Sequence, residues 1–292
     1  MQFTGNIVAL VTPFRNGQID HDALTGIINR AIAGGVSGLV PCGTTGESPT
    51  LSHDEHDAVN ARAAEAADGR LPVIAGTGSN STQEAVRLGK AAEAAGANAL
   101  LSVNPYYNKP SQDGLYRHFT EIANATSLPV VLYNIPGRTS VELEIDTIAR
   151  LAEHPNIQAI KEATGNLENV TRIRTCTDLA ILSGDDALTL PTLALGGSGV
   201  ISVISNLLPG HMTRLVEAAL SGDIEAARAE HDRLYPLMKA LFIDTNPVPI
   251  KEAMALAGWI EPELRLPLCR TSEEKRAEIE NAMIPFQGDL TA

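Results

Sequence analysis

A lysine lies inside an apolar run of the sequence, where its amine could act as a nucleophile. Lys161 stands in the segment IQAIKEATG, and strand alternation would place it on one face with three apolar residues, Ile157, Ala159 and Ala163. Because burial disfavours the charged ammonium, we expect a lowered pKa and an available neutral amine. A neutral amine attacks ketones and forms a Schiff base, which stores electrons as an enamine. The alternatives are a lysine that reaches solvent from a strand end and a lysine that pairs with Glu162.

A tyrosine is expected on the neighbouring strand at a similar height. Tyr133 stands in the segment VVLYNIP, one apolar run before Lys161. A phenol there could donate and accept protons while a carbinolamine forms and loses water. Since an ordinary phenol titrates near a pH of about 10, it would need a hydroxyl relay, for which Thr44 and a second tyrosine are candidates. Alternatively, Tyr133 is a core residue whose hydroxyl has a partner.

Two further features could hold an anion. The segment GTTGE, residues 43–47, combines a tight turn, two hydroxyl groups and closely spaced backbone amides, which can bind a carboxylate or a phosphate. Arg138 offers a planar guanidinium to a carboxylate, or else forms a surface ion pair. The sequence contains no GxxxxGK[ST] loop, and no GxGxxG segment follows a strand and opens a helix.

Eight apolar runs rich in Val, Ile and Leu recur along the chain, as is typical of parallel strands covered on both faces. They span residues 6–14, 37–45, 71–79, 97–105, 128–136, 157–165, 179–186 and 199–206. Because segments of helical periodicity separate them, we predict an α/β fold, a (β/α)8 TIM barrel over residues 1–222 with a C-terminal helical extension over 223–292. The seventh helix must fit into the short segment LTLPTLALGG. A doubly wound open sheet is the alternative.

The candidate residues stand at the C-terminal ends of these runs, where barrels of this kind carry their chemistry.

The net charge of −13 argues against a protein that binds nucleic acid without sequence preference. We find neither a signal peptide nor an apolar run of about 18 residues that could span a membrane. Cys42, Cys176 and Cys269 show no metal-binding or disulfide pattern. We therefore expect a cytoplasmic protein, and no metal at His53 and His56, which lack a third ligand nearby.

Seven motifs together resemble the pyruvate-dependent class I aldolase superfamily, and within it the dihydrodipicolinate synthase family. They are GNIVALVTPF, GTTGES, NPYYNKP, YNIPGRT, KEATG, LSGDD and GVISV. The resemblance implies condensation of pyruvate with L-aspartate 4-semialdehyde to 4-hydroxy-tetrahydrodipicolinate, in lysine and diaminopimelate biosynthesis. It also implies a homotetramer, built as a dimer of dimers, that needs no metal and no cofactor.

Sister families share the barrel and the lysine, so the specificity is a separate question. The N-acetylneuraminate lyases usually have Ser-Thr where this chain has Thr44-Thr45, and they lack an arginine at the position of Arg138. Both features favour the synthase. An aldolase for a sialic acid or a keto-deoxy sugar acid is the alternative within the superfamily. A barrel that binds ligands without turnover is the alternative outside it.

The resemblance assigns a role to each of eight residues. Four are catalytic: Lys161 as the Schiff-base lysine, Tyr133 as the proton donor and acceptor, Thr44 as the relay hydroxyl, and Tyr107 as a tyrosine given to the neighbouring subunit's site. Four bind substrate: Thr45 the pyruvate carboxylate, Ile201 through its main chain, Arg138 the carboxylate of aspartate semialdehyde, and Gly184 through its backbone.

A second set of residues matches the family's feedback site for free lysine. The set is Ser48, His53, His56, Asn80, Glu84 and Tyr106. Glu84 could hold an ammonium, while Tyr106 and Asn80 could donate hydrogen bonds to a carboxylate. We therefore expect inhibition by lysine. A polar face at a subunit contact is the other interpretation.

Overall fold

Eight parallel strands form at the positions of the eight apolar runs of the sequence. They are seen in a computed structural model that describes residues 2–290. The strands are β1 (Gly5–Ala9), β2 (Gly38–Val40), β3 (Ile74–Gly76), β4 (Ala99–Val103), β5 (Val130–Asn134), β6 (Ile157–Glu162), β7 (Ala180–Ser183) and β8 (Gly199–Ser202). The prediction of eight strands in this order is confirmed.

The strands are hydrogen-bonded in the order β2-β1-β8-β7-β6-β5-β4-β3. The two ends of this sheet meet through a parallel bridge between Leu39 and Val73, and Gly76 N donates to Pro41 O at 2.9 Å across the same gap. Consecutive strands are therefore neighbours all the way round. This arrangement is a TIM barrel, and the doubly wound open sheet is excluded.

Helices lie between the strands, and several begin where a polar side chain caps the first turn. They are α1 (His21–Ala33), α2 (His53–Ala67), α3 (Thr82–Ala94), α4 (Gln112–Asn124), α5 (Ile145–Ala152), α6 (Leu167–Cys176), α7 (Thr189–Ala194) and α8 (Pro209–Ser221). Side-chain caps that accept from the helix backbone are Asp20, Ser52, Ser81, Ser111 and Asn166. The seventh helix, α7, does fit into its short segment. A small hairpin of Phe14–Arg15 and Gln18–Ile19, which the sequence analysis did not predict, follows β1.

The predicted C-terminal helices are confirmed as α9 (Ile224–Ala240), α10 (Val248–Leu256) and α11 (Glu273–Met283). Their apolar side chains share one hydrophobic cluster with α1 and α8, to which α9 contributes Leu237 and α10 contributes Ile250. The extension is thus packed on one wall of the barrel. The division into two domains at residue 222 stays a prediction. Among the described helices, none combines the length and the apolar character that a membrane crossing requires.

A register shift between β5 and β6 corrects one detail of the expected alternation. Val130 pairs with Ile157, whereas Val131 pairs with Ala159, so Gln158 is an extra residue in β6. Ile157 consequently packs in the outer cluster between sheet and helices, while Ala159 faces the barrel interior. Ile157 does not share a face with Lys161. Ala159 and the partly buried Ala163 both belong to the interior cluster.

Candidate active site

Lys161 and Tyr133 lie side by side at the C-terminal end of the barrel. Strand pairing sets them directly opposite each other on β6 and β5. The Lys161 Nζ lies 4.2 Å from the centroid of the Tyr133 ring. Both residues are buried, with 6% and 5% of their surfaces exposed. The amine and the phenol therefore share one enclosed space.

The amine of Lys161 has no carboxylate partner. The neighbouring Glu162 carboxylate accepts from Thr164, through its hydroxyl and its backbone N–H, and from Asn134 Nδ2 at 3.3 Å. Within residues 2–290, no ion pair or hydrogen bond engages the Lys161 amine. A pair with Glu162 does not agree with this geometry, and Lys161 as a residue is only 6% exposed. An uncompensated buried amine is a group suited to nucleophilic attack.

Gly184 supplies the room that the Lys161 side chain occupies. It follows β7, and a Cβ built on it would lie 2.5 Å from the Ala163 Cβ and 3.2 Å from the Lys161 Cε. The first distance is far inside van der Waals contact, and the Ala163 methyl group cannot rotate away. Glycine is therefore required here by close packing against Ala163, with the Lys161 side chain directly beside it.

Replacing Gly184 by alanine should displace Lys161 and lower kcat/KM by at least about tenfold, since small misplacements of a reacting group are costly. The measurement is steady-state kinetics together with thermal unfolding. Gly26→Ala in α1 is the matched control, because its nearest neighbour is Arg30 Nη1 at 3.8 Å. Unchanged kinetics in Gly184→Ala would contradict the packing argument.

The turn of residues 43–48, which follows β2, carries Thr44 and Thr45. The backbone amides of Gly46 and Ser48 both donate to Gly43 O, at 3.1 and 3.4 Å, which closes the turn. Thr45 is buried, and its hydroxyl accepts from Asn246 Nδ2 at 3.0 Å. Thr44 is half-buried and lines a cavity of about 360 Å³ that Tyr133 also lines.

Arg138 also lines that cavity, from a single helical turn, Pro136–Thr139, that follows β5. Its Nη2 donates to the backbone carbonyl of Asn246 at 3.0 Å. No carboxylate within residues 2–290 pairs with the guanidinium, so the surface ion pair is not formed. The remaining N–H groups are available to an anion in the cavity.

Ile201 lies in β8, buried in the barrel interior with Tyr133 and Leu182. The chain just after it is held by Asp186, whose carboxylate accepts from Val203 N and Ile204 N at 3.1 and 2.8 Å. Burial raises the pKa of Asp186 to about 6. No role was predicted for Asp186, whose only signal in the sequence is its place in the SGDD segment.

Tyr107 is the one expected catalytic residue that the single chain does not bring to the pocket. Its side chain is 90% exposed, and its backbone adopts a left-handed φ of 73°. The preceding residue, Tyr106, lines the cavity instead. A role for Tyr107 in catalysis consequently requires a second copy of the chain.

Most of the expected lysine-site residues line the same cavity as Tyr133 and Arg138. Those that do are Ser48, His53, His56, Glu84 and Tyr106. Asn80 is not among the lining residues, and its backbone carbonyl accepts from Asn108 Nδ2 at 2.8 Å. Thr44, Tyr133 and Arg138 thus share a cavity with most of the expected lysine site, whereas Lys161, Thr45, Gly184 and Ile201 are not among its lining residues.

The two histidines of this set have different partners. His53 Nε2 lies 2.8 Å from Glu84 Oε1, and hydrogen bonds from Ser79 and His53 lower the pKa of Glu84. His56 is buried: its Nε2 donates to Gly76 O at 2.9 Å and its Nδ1 accepts from Asn60 at 3.2 Å. Burial lowers the pKa of His56, which favours this neutral form. Within residues 2–290 no three His, Cys, Asp or Glu residues are grouped as a metal site.

A buried ion pair fixes the turn of residues 43–48 to the helical extension. Lys251 Nζ of α10 lies 2.5 Å from Glu47 Oε1 and also donates to Thr12 O at 3.0 Å. Both charged side chains are almost completely buried, and burial lowers the pKa of Lys251. The second Glu47 oxygen accepts from Arg265 N at 3.1 Å. No local pattern in the sequence predicts this pair, because its two residues lie far apart in the chain.

A family model described as the dihydrodipicolinate synthetase family matches residues 2–284. A 4-hydroxy-tetrahydrodipicolinate synthase from Syntrophus aciditrophicus is 53% identical over 283 residues, covering 96% of this chain and 97% of its own. One from Methanocaldococcus jannaschii is 51% identical, covering 96% and 98%. Both similarities extend over nearly the whole chain.

Solved structures have the same fold. The dihydrodipicolinate synthase of Aquifex aeolicus is 45% identical with a TM-score of 0.97, over 99% of this chain and 100% of that one. The Acinetobacter baumannii enzyme, described as chloride-inhibited and complexed with pyruvate, is 42% identical with a TM-score of 0.95, over 97% and 98%. The Cyanidioschyzon merolae enzyme with lysine bound is 43% identical with a TM-score of 0.93, over 97% of each chain. With a family model over nearly its whole length and relatives about half identical to it, the chain is an enzyme that belongs to the dihydrodipicolinate synthetase family.

Proposed function

We propose that this enzyme condenses pyruvate with L-aspartate 4-semialdehyde to give 4-hydroxy-tetrahydrodipicolinate, through a Schiff base on Lys161. The observation that carries the mechanism is the buried amine of Lys161, which has no ionic partner and lies 4.2 Å from the Tyr133 ring. Family membership and the names of the relatives support the choice of reaction.

The amine of Lys161 adds to the keto carbon of pyruvate, and loss of water leaves an imine. The imine withdraws electrons from the methyl group, which loses a proton and becomes the nucleophilic carbon of an enamine. That carbon attacks the aldehyde carbon of the semialdehyde and forms the new carbon–carbon bond. The amine of the added chain then attacks the imine carbon, closes a six-membered ring and releases the amine of Lys161.

Each of these steps moves a proton. Tyr133 donates to the departing hydroxyl of the carbinolamine and accepts protons later, with Thr44 as the relay hydroxyl. Tyr107 completes the relay from a neighbouring subunit, a role supported by its 90% exposure in the single chain. A shared site requires at least a dimer, and from the resemblance to the family we propose a homotetramer built as a dimer of dimers and a cytoplasmic location.

The two substrate carboxylates bind to different groups. The pyruvate carboxylate accepts from the Thr45 hydroxyl and from backbone N–H groups of the turn, and the main chain at Ile201 and Gly184 contacts the bound substrate. Arg138 binds the carboxylate of the semialdehyde, because its guanidinium has no anionic partner of its own within residues 2–290. A substrate without that carboxylate would leave the guanidinium unpaired, which gives the site its specificity.

The reaction is tested by measuring pyruvate consumption with one aldehyde at a time. We expect turnover with L-aspartate 4-semialdehyde and at least about a hundredfold lower kcat/KM with N-acetylmannosamine, which lacks the carboxylate. The reverse preference would assign the enzyme to the sialic acid aldolases. Binding of pyruvate without turnover of either aldehyde would favour a ligand-binding barrel.

We propose that free lysine binds the part of the cavity lined by His53, Glu84 and Tyr106. The ionised Glu84 carboxylate is 37% exposed and can hold an ammonium group, while the Tyr106 hydroxyl can donate to a carboxylate. His56 would offer its ring face, since both of its nitrogens are already bonded within the chain. The lysine-bound relative from Cyanidioschyzon merolae supports this assignment.

Lysine should lower the initial rate in the millimolar range or below. Glu84→Gln should raise the half-inhibitory lysine concentration at least about tenfold, because it removes the charge that faces the ammonium. Its activity without lysine should stay close to that of the unchanged enzyme. Glu65→Gln, on the exposed face of α2, is the control and should not alter inhibition. A flat dose–response up to millimolar lysine would remove the proposal.

A further inference from the structure

Asn246 connects the two side chains that we assign to the substrate carboxylates. Its Nδ2 donates to Thr45 Oγ1 at 3.0 Å, and its backbone carbonyl accepts from Arg138 Nη2, also at 3.0 Å. Asn246 is buried, and it lies in the segment between α9 and α10, outside the barrel. One residue of the helical extension therefore contacts both binding groups.

The hydrogen bond from Asn246 makes the Thr45 hydroxyl an acceptor on one side, so that the hydroxyl is free to donate on the other. A hydroxyl has one proton to donate and two lone pairs. Since Asn246 Nδ2 donates to one lone pair, the proton of Thr45 is left for a different acceptor. No acceptor within residues 2–290 takes it. A carboxylate in the pocket is an acceptor of the right kind, and a charge-assisted hydrogen bond to it would be stronger than a neutral one.

The oxygen of the Asn246 side-chain amide, Oδ1, argues against a purely structural role for this residue. Asn246 Oδ1 is buried, and no hydrogen-bond donor within residues 2–290 reaches it. An unsatisfied buried acceptor lowers stability, so an apolar residue of similar size would serve the fold better. The amide at this position is therefore best explained by its N–H donor, which binds Thr45.

The position of Asn246 is fixed by the same elements that fix the turn of residues 43–48. Val248 N donates to Thr245 O at 2.9 Å, and Lys251 N donates to Pro247 O at 3.0 Å, so α10 begins two residues after Asn246. Lys251 in turn forms the buried pair with Glu47. The Lys251–Glu47 pair therefore fixes the start of α10, next to Asn246, against the turn that carries Thr45. The donor and the acceptor of the Asn246–Thr45 hydrogen bond are thus both held in place.

We propose that Asn246 is a positioning residue that orients the Thr45 hydroxyl toward the carboxylate of the keto acid and so sets the preference for keto acids over uncharged ketones. The proposal rests on the function proposed above. It predicts that loss of the amide donor weakens the binding of pyruvate, while reaction of the Lys161 amine with an uncharged keto ester is left nearly unchanged.

The test is borohydride trapping of the imine over a range of pyruvate or methyl pyruvate concentrations. In Asn246→Ala the half-saturating concentration of pyruvate should rise about tenfold, the worth of one charge-assisted hydrogen bond, and that of methyl pyruvate should change less than about twofold. Asn246→Asp keeps the shape but replaces the donor by an acceptor, so its loss for pyruvate should be at least as large. Asn156→Ala removes two hydrogen bonds to Ala123 O and Thr126 O at the opposite, N-terminal end of the strands, and it should move neither value.

A double-variant comparison separates positioning from a general loss of structure. If Asn246 acts through Thr45, Asn246→Ala should cost little in a Thr45→Ala background, although it costs about tenfold alone. Equal losses for pyruvate and methyl pyruvate, or independent effects in the double variant, would overturn the proposal. If the unchanged enzyme forms no imine with pyruvate, the proposed function fails instead, so the two failures are distinguishable.

Discussion

Replacing Lys161 by methionine should lower turnover at least about a thousandfold, because no other group in the pocket can form the covalent intermediate. Methionine keeps the length of the side chain without its amine, so the barrel interior should stay packed. In the unchanged enzyme, borohydride with pyruvate should add a stable mass to the peptide that contains Lys161. In Lys161→Met that adduct should be absent. Mass spectrometry of the digested protein locates it.

Lys90→Met is the matched control for this experiment, since Lys90 is an exposed lysine at the outer surface of α3. It should retain normal turnover and form the adduct on Lys161. An adduct on a different peptide, or turnover that survives the loss of Lys161, would show that the imine mechanism is wrong.

Replacing Lys251 by methionine should lower the free energy of unfolding by about 3–5 kcal/mol, the usual effect of removing one partner from a buried ion pair. Glu47 would be left without its cation, with no solvent to compensate, inside the turn that presents Thr44 and Thr45. Because the turn would move, activity should fall as well. Denaturant unfolding at fixed protein concentration and steady-state kinetics measure the two effects.

Two comparisons identify the cause of this loss. Lys275→Met removes a partly exposed pair with Asp244 at 2.8 Å and should cost about 1 kcal/mol or less. The double variant Lys251→Met with Glu47→Leu removes both buried charges and should regain much of the stability without regaining activity. If Lys251→Met is as mild as Lys275→Met, the pair does not hold the turn.

The barrel and the positions of Lys161 and Tyr133 could be predicted from the sequence. The barrel followed from eight apolar runs, because strands buried on both faces have nearly continuous hydrophobic patterns. Lys161 was noticeable because a charged residue interrupts such a pattern. Tyr133 was expected beside it because consecutive strands of a barrel are neighbours.

Two local features of the strands were not predicted, because the alternation of apolar and polar residues does not encode them. The extra residue Gln158 in β6 moves Ile157 out of the barrel interior, and a bulge of this kind is set by the pairing partner. The short hairpin after β1 was likewise absent from the periodicity.

The sequence by itself determined the order of the strands and the type of chemistry, because both depend on residue types and short spacings. Only the tertiary structure decided which distant residues complete the site. Asn246 meets Thr45 across 201 positions of the chain, and Lys251 meets Glu47 across 204. Such contacts depend on how the helical extension packs on the closed barrel, and no local pattern records the packing of two surfaces against each other.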